Sequence, residues 1–389
     1  MSAASAVGLP ALITRATDRF ALTDQATPVS SALGLWLLLA LVAPAAQGEE
    51  REQLQDALGC PVHDAADYAD QLLGTPATAI TLAAAAWDTP RTRSLPAYAS
   101  WAEGLPAVVE RGDVPDQAAA DRWARRHTAG IIDAFPLKLD PTVVLVLANA
   151  LATRVTWSHP FRLQPAWWLG GPWAEHVGTV LASVPEHDMG MAHTSAGLLA
   201  WHAADADGLR VLSVLGAPDA SPEQVLRAAG EVAAGTARPV SLFDLPLGVG
   251  PYGTLSERTR DPGVPDQQLS ALLPAWTASA TIDLRHRTTP VPGVDAALAT
   301  LLRLSAGEKP DAAQTTKARF TREGFEAASV TAMATRVSYR PGPPGRHLKL
   351  RFARPYAALA VAVGTPPWNG VPVVSAWVTE PSRIPPELL

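Results

Sequence analysis

Apolar positions fall into two textures along the chain. Up to Phe135, alanine and leucine recur at helical spacing. The most apolar run, Ala32 to Ala46 ("ALGLWLLLALVAPAA"), is shorter than the roughly 20 residues of a spanning helix. Pro44 and the polar flanks mark it as a buried helix. Thr27-Pro28-Val29-Ser30-Ser31 precedes it as a cap-like start, with Pro near the first turn. "EEREQLQDALG" ends on Gly59, a helix-closing signal. "AAADRWARRHTAGIIDAF" predicts a helix with Trp123 and Ile131-Ile132 on one side, closed by Gly130.

Beyond Phe135 the pattern is that of strands. Thr142 to Trp157 ("TVVLVLANALATRVTW") is long enough for a central buried strand. "LRVLSVLGAP" predicts another, followed by a short helix over "SPEQVLRAAGEVAAG". "ARPVSLFDLPL", "PAWTASATIDL", "KARFTREG", "HLKLRFARPYAALAVAV" and "VPVVSAWVTEP" predict further strands. There is no internal repeat and no long linker. Helices first and strands later predict an α+β fold, read as a single domain over residues 1–389.

Composition narrows the function classes. The 389 residues are 48% hydrophobic and 17% charged, a globular balance. The formal net charge of −6 gives no basic surplus for nucleic acid, and no membrane span is expected. Cys60 is the single cysteine, so neither an internal disulfide framework nor a cysteine metal knuckle is available. The N-terminus lacks a basic segment followed by an apolar core, so a cytoplasmic protein is expected, with an extracellular one left open.

Familiar chemical motifs are weak or missing. Gly248-Val249-Gly250-Pro251-Tyr252-Gly253 fits G-x-G-x-x-G literally, but Pro251 removes a phosphate-binding donor and a poor helix former follows; a surface turn is expected. His187, His193 and His202 lie among carboxylates without zinc-site spacing and are read as loop and surface residues. There is no G-x-S-x-G elbow and no P-loop. No metal, cofactor or catalytic residue is assigned, and the chain is expected not to be an enzyme.

Several stretches, in order, resemble the serpin family. "TPVSSALGLWLLLALVAPAAQGEEREQLQDALG" is similar to the family's N-terminal helix entry and its "TREQL…ALG" segment. Trp123, Thr128, Gly130 and Ile132 fit W-x4-T-x-G-x-I, and Asn149, Trp157, Pro160 and Phe161 fit N-x7-W-x2-P-F. "LPAWTASATIDL", "REGFEAASVTA", "RFARPYAALAVA" and "VVSAWVTEP" resemble later family segments. The resemblance implies N-terminal helices around a large central sheet, with further sheets and an exposed reactive-centre loop at about residues 322–347. It implies a metastable monomer that traps a serine protease as a suicide substrate, and a bacterial source. Ser30, Asn149 and Trp157 would be structural residues under the sheet.

In that reading Glu323, Gly324, Phe325, Glu326, Ala327 and Ala328 form the hinge. The loop would insert as a strand after cleavage. Period two is consistent with this. Phe325, Ala327, Ser329, Thr331, Met333, Thr335 and Val337 form an uncharged face, and Glu326 and Arg336 fall on the other. The family's loop length puts the cut near Ser338-Tyr339, and Arg336-Val337 offers a trypsin-type site. The expected target is a trypsin- or subtilisin-like protease. Phe325 stands where inhibitors usually carry a small residue, and Gln314 or Thr316 falls where the family has a buried histidine. These departures keep a non-inhibitory binding or scaffold protein as the alternative.

Overall fold

Helix boundaries follow the capping chemistry. The computed structural model describes residues 8–20, 29–259, 265–287, 289–307, 311–325 and 344–383. After α1 (Leu9–Arg19) and a short β1 (Val29–Ser30), α2 (Ala32–Val42) starts at Ser31, whose Oγ accepts the Gly34 N–H at 3.1 Å. Almost every side chain of α2 is buried, as its unbroken apolar run requires. α3 (Gly48–Leu58) closes on Gly59 in the left-handed region at φ 72°, as expected. α4 (Val62–Gly74) follows.

The chain divides into two compact units. The first comprises residues 1–153, 279–317 and 361–375. Its strands β2 (Ile80–Asp88), β3 (Glu110–Asp113) and β4 (Leu145–Thr153) form a sheet in the order β3-β2-β4. β2 runs antiparallel to β4 from Ile80 opposite Thr153 to Asp88 opposite Leu145. The alanine-rich β2 lies in the stretch whose spacing predicts helix. Alanine's helical preference yields there to pairing and burial on a central strand. α5 (Pro90–Arg93) and α6 (Pro96–Glu103) connect β2 to β3.

Next comes α7 (Gln117–His127), which packs Ala120, Trp123 and Ala124 on Ala85 and Trp87 of β2 and Val146, Ala148 and Ala150 of β4. The Trp87 and Trp123 rings meet edge-on at 5.2 Å. α7 ends earlier than the sequence predicts. Ala129 and Gly130 take positive φ, and Ile131 and Ile132 lie beyond the helix, although Ile132 still joins the same core.

The second unit comprises residues 154–278, 318–360 and 376–389. It begins with β5 (Val155–Thr156), so the predicted strand Thr142–Trp157 is a β4–β5 pair with a break at Arg154. β6 (Arg162–Pro165), β7 (Thr179–Ala182), β8 (Asp188–Thr194), β9 (Gly197–Ala206) and β10 (Leu209–Leu215) follow. α8 (Pro222–Ala233) starts with a capping box between Ser221 and Gln224. The stretch "ARPVSLFDLPL" is mostly not a strand: only β11 (Arg238–Pro239) pairs, and a 3-10 turn covers Leu242–Asp244. Pro239 and Pro246 withhold ladder donors on either side. β12 (Gly248–Gly250) and β13 (Gly253–Thr259) then form a hairpin, with Val249 84% exposed, so the glycine motif is a surface turn.

The remaining elements are β14 (Gln267–Leu273), β15 (Trp276–Asp283), α9 (Val294–Ser305), β16 (Ala313–Phe320), β17 (Gly324–Phe325), β18 (Pro344–Arg351), β19 (Tyr356–Ala362) and β20 (Pro372–Val378). The predicted strand over "HLKLRFARPYAALAVAV" is two strands, separated before Pro355, which disfavours pairing there. One sheet has the order β20-β19-β10-β9-β8-β11, and another β12-β13-β18-β14-β7-β6. β18 is therefore flanked on both edges, antiparallel to β13 and parallel to β14. Among the described residues, β4 pairs only with β2 and β16 only with β15. In the first unit an apolar cavity of about 80 Å³ is lined by Leu35 and Leu39 of α2, Leu147 of β4, Leu298 of α9 and Ala313 of β16.

Candidate functional site

The candidate site is a tight turn that carries β16 into β17, wholly within the second unit. Thr321 closes this turn on itself. Its N–H donates to the Gly324 carbonyl at 3.1 Å, its hydroxyl donates to the same carbonyl at 2.9 Å, and the Gly324 N–H donates back to Oγ1 at 3.3 Å. The turn is then held from outside. The Trp157 N–H donates to Glu323 O at 2.8 Å, the Phe161 N–H to Arg322 O at 2.9 Å, and the Trp157 indole Nε1–H to Thr321 O at 3.0 Å. Arg322 Nε donates to Phe161 O at 3.3 Å. These bonds account for the W-x2-P-F spacing: both ends of Trp157–Phe161 grip one turn.

Beyond the turn, Gly324 pairs with Thr156 and Phe325 with Val155, the first two rungs of an antiparallel strand. Glycine is required at 324 because a Cβ there would lie 2.1 Å from Val155 O. Glu323 is buried, with its carboxylate 3.6 Å from Arg322. Glu323, Gly324 and Phe325 are thus placed beside Trp157. Glu326, Ala327, Ala328, Arg336, Val337, Ser338 and Tyr339 lie outside the described residues.

Aromatic rings support the turn from beneath. Phe320 stacks on Trp276 at 5.9 Å and 1°, and lies 5.3 Å from Trp157 and 5.4 Å from Phe161. Phe161 in turn contacts His187 at 4.6 Å and His202 at 5.4 Å. His187 lies in the bend before β8, a loop position as the sequence predicts, but it is buried, and His202 is neither a loop nor a surface residue. His202 is fully buried on β9, and its Nε2 lies 2.9 Å from His187 Nδ1. His187 Nε2 donates to His159 O at 2.6 Å, which leaves Nδ1 of His187 to accept the His202 proton. Burial pushes the pKa of both rings below the ordinary histidine value, that of His202 well below. His193, by contrast, is exposed on β8. No sequence signal marks the pair, because residues fifteen apart meet only through the pairing of β8 and β9.

A separate hydrogen-bonded network lies in the first unit. Asn149 Nδ2 donates to the Gly34 carbonyl of α2. Gln314 spans the Ser31 backbone, accepting its N–H at 3.2 Å and donating to its carbonyl at 2.9 Å. Ser31 Oγ donates to Val373 O at 2.7 Å, and Ser30 Oγ lies 3.3 Å from Ser375 Oγ. Ser31 and Gln314 therefore do more of the bonding than Ser30, the residue singled out from sequence. Gln314 fills its place with an amide that donates and accepts along one edge.

Among the described residues no group of three or more His, Cys, Asp or Glu could hold a metal ion. No helix among them is long and apolar enough to cross a membrane. Burial, and secondarily Asp64, push the Cys60 thiol up to about 11, so it is not an activated nucleophile.

Comparison with known proteins agrees with this architecture. A family model described as Serpin (serine protease inhibitor) matches residues 16–166. Among solved structures, the thermophilic serpin tengpin in its native state is similar at a TM-score of 0.62 and 14% identity, covering 96% of this chain and 93% of its own. Human glycosylated kallistatin matches at 0.62 and 15%, covering 97% of this chain and 100% of its own. Thyroxine-binding globulin complexed with thyroxine matches at 0.60 and 14%, covering 95% and 97%. A search of curated proteins finds no match. The chain thus has the serpin fold over nearly its whole length, and residues 16–166 carry the serpin family's sequence pattern.

Proposed function

We propose that this serpin-fold protein inhibits a trypsin- or subtilisin-like serine protease as a suicide substrate. The observation that carries the reading is the started strand at Gly324-Phe325, paired with Thr156 and Val155 and followed in sequence by Glu326 and then the small residues from Ala327. The unpaired edges of β4 and β16 support it, since an open strand edge is a template for a further strand.

The protease serine attacks the carbonyl of Ser338 or Arg336. Its Oγ forms an ester as the C–N bond breaks, and the new amine at Tyr339 or Val337 leaves with a proton. The residues after Phe325 then extend β17, carrying the acylated protease with them. A displacement of about 1 Å between catalytic groups and oxyanion donors removes much of the rate of ester hydrolysis. The inhibitor is consumed and turns nothing over.

A non-inhibitory binding role is the second reading, favoured by Phe325 at the start of the hinge. A bulky side chain entering between strands slows insertion relative to hydrolysis. The deciding experiment incubates the protein with trypsin- and subtilisin-like proteases. A covalent complex that survives SDS supports inhibition. Clean cleavage near Arg336–Tyr339 with full recovery of protease activity supports the second reading.

A further inference from the structure

β18 has one apolar and one basic face. Leu348 and Leu350 point inward, opposite Leu255 of β13 and Ala271 of β14. By period two, His347, Lys349 and Arg351 point outward. The cross-strand partners of His347 and Lys349 are polar, Ser256 and Thr254 on β13 and Gln268 and Ser270 on β14, whereas Arg351 lies opposite the buried Leu272 at the end of the strip. Arg258 of β13 stands exposed at the same end, opposite Gly345. The whole face belongs to the second unit.

Several cations elsewhere have carboxylate partners. Arg93 meets Asp88 and Asp113, Arg210 meets Asp188 and Asp205, Arg303 meets Glu50, and Lys317 meets Asp133. Among the described residues, Arg258, His347, Lys349 and Arg351 form no ion pair. Glu257 and Arg346, the nearest opposite charges in sequence, pair with each other on the inner face. Arg258, Lys349 and Arg351 instead crowd like charge together, and the first two disfavour the charged form of His347. Burial first, then Arg258 and Lys349, lower the pKa of His347; burial, then Arg351 and Arg258, lower that of Lys349. In a chain of net charge −6, composition does not explain such a cluster.

We propose that the outward face of β18, with Arg258 beside it, is a docking strip for an extended acidic segment of a partner protein. The spacing sets the shape of the ligand. Outward side chains of one strand repeat every 6.6–6.8 Å, roughly, so the three on β18 span about 13 Å. That is a line and not a point, which suits carboxylates at alternate positions of an extended chain better than one oxyanion. Hydroxyls and amides on both flanking strands offer further bonds to such a chain. A nucleic acid is disfavoured, because the aromatic ring at the strip, Trp168, already has Lys349 Nζ over its face at 4.1 Å. His347, whose Nε2 lies 3.1 Å from Ser270 Oγ, adds a pH response: an acidic ligand favours its protonated form. The inference is independent of whether the loop traps a protease.

The test uses the full chain and a fluorescent peptide of alternating Glu and Ser, titrated by anisotropy at low salt. Wild type is expected to bind it, more tightly at about pH 6 than at about pH 8, and less tightly as salt rises. Lys349→Ala with Arg258→Ala should weaken binding at least about tenfold, and His347→Gln should flatten the pH response. Thr254→Glu, which sets a carboxylate beside Lys349 without emptying the face, should also suppress binding; wild-type melting temperatures show that these variants fold. The proposal is overturned if wild type does not bind the peptide, or if both the double variant and Thr254→Glu bind it as wild type does. It is equally overturned if a sulfated oligosaccharide or single-stranded DNA of equal charge displaces the peptide at lower concentration.

Discussion

At the residue scale, the buried His187–His202 pair makes stability depend on pH. Burial holds the folded-state pKa of His202 well below the ordinary value, while the unfolded chain titrates near about 6.5. The folded state therefore binds fewer protons, so the pair's contribution is intact above about pH 6.5 and is lost as pH falls below it. Glu186, Asp205 and His159 face His187, and the two carboxylates favour its charged form, which makes His187 the first of the pair to protonate. Phe161 rests on both rings and grips the turn at Arg322, so acid should loosen the turn before the rest of the unit. The melting temperature is expected to drop between about pH 7 and pH 5, and His202→Leu should flatten that drop. An unchanged slope in the variant would place the acid sensitivity elsewhere.

Elements show what a sequence can and cannot disclose. Strong apolar runs identify themselves: α2, β10, β15 and β20 lie where the pattern puts them. β2 does not, because four consecutive alanines fit either state and only the partners on β3 and β4 decide. The Trp157–Phe161 motif was legible because it carries spacing, and it holds the turn that ends in Gly324-Phe325. The bonding of Gln314 to Ser31, that of Ser31 to Val373, and the histidine pair were not, because their partners are brought together by pairing of distant strands and by tertiary packing. The short β17–β5 ladder yields a direct prediction. Gly324→Ala places a methyl against Val155 O and should cost about 1–3 kcal/mol of hinge docking. Hydrogen exchange at the Trp157 amide, which donates to Glu323 O, should rise in the variant. Unchanged protection there would mean that the turn does not depend on the ladder.

For the molecule as a whole, the inhibitor reading requires that the intact form be the less stable one. A protease nick between Arg336 and Arg340 frees the residues after Phe325 to extend β17 and add hydrogen bonds and burial. At about 2.1 cal/mol/K of unfolding entropy per residue, a chain of this length shifts by about 1.2 °C per kcal/mol, so an insertion worth about 8 kcal/mol should raise the melting temperature by about 10 °C. Calorimetry of intact and nicked protein decides the matter: coincident transitions would exclude insertion. The acidic-partner strip belongs to the same scale, since it would direct which proteins approach this face of an otherwise negatively charged molecule.

The double pairing of β18 bears on how long the uncut protein keeps its function. The loop's far end is tethered to a strand zipped on both edges, from Gly253 opposite Leu350 to Thr259 opposite Pro344 on one side and along β14 on the other. To enter a sheet an uncut loop must draw thread from β18, and that means tearing two seams at once. On the inhibitor reading, scission is the release, and the two seams of β18 should hold an uncut loop back from spontaneous insertion. Gly253 sits at the weak stitch, because a Cβ there would lie 1.9 Å from Lys349 O. Gly253→Ala should open the β13 seam locally and shorten the half-life of trapping capacity on warm storage. Equal half-lives for variant and wild type would show that the tether lies elsewhere.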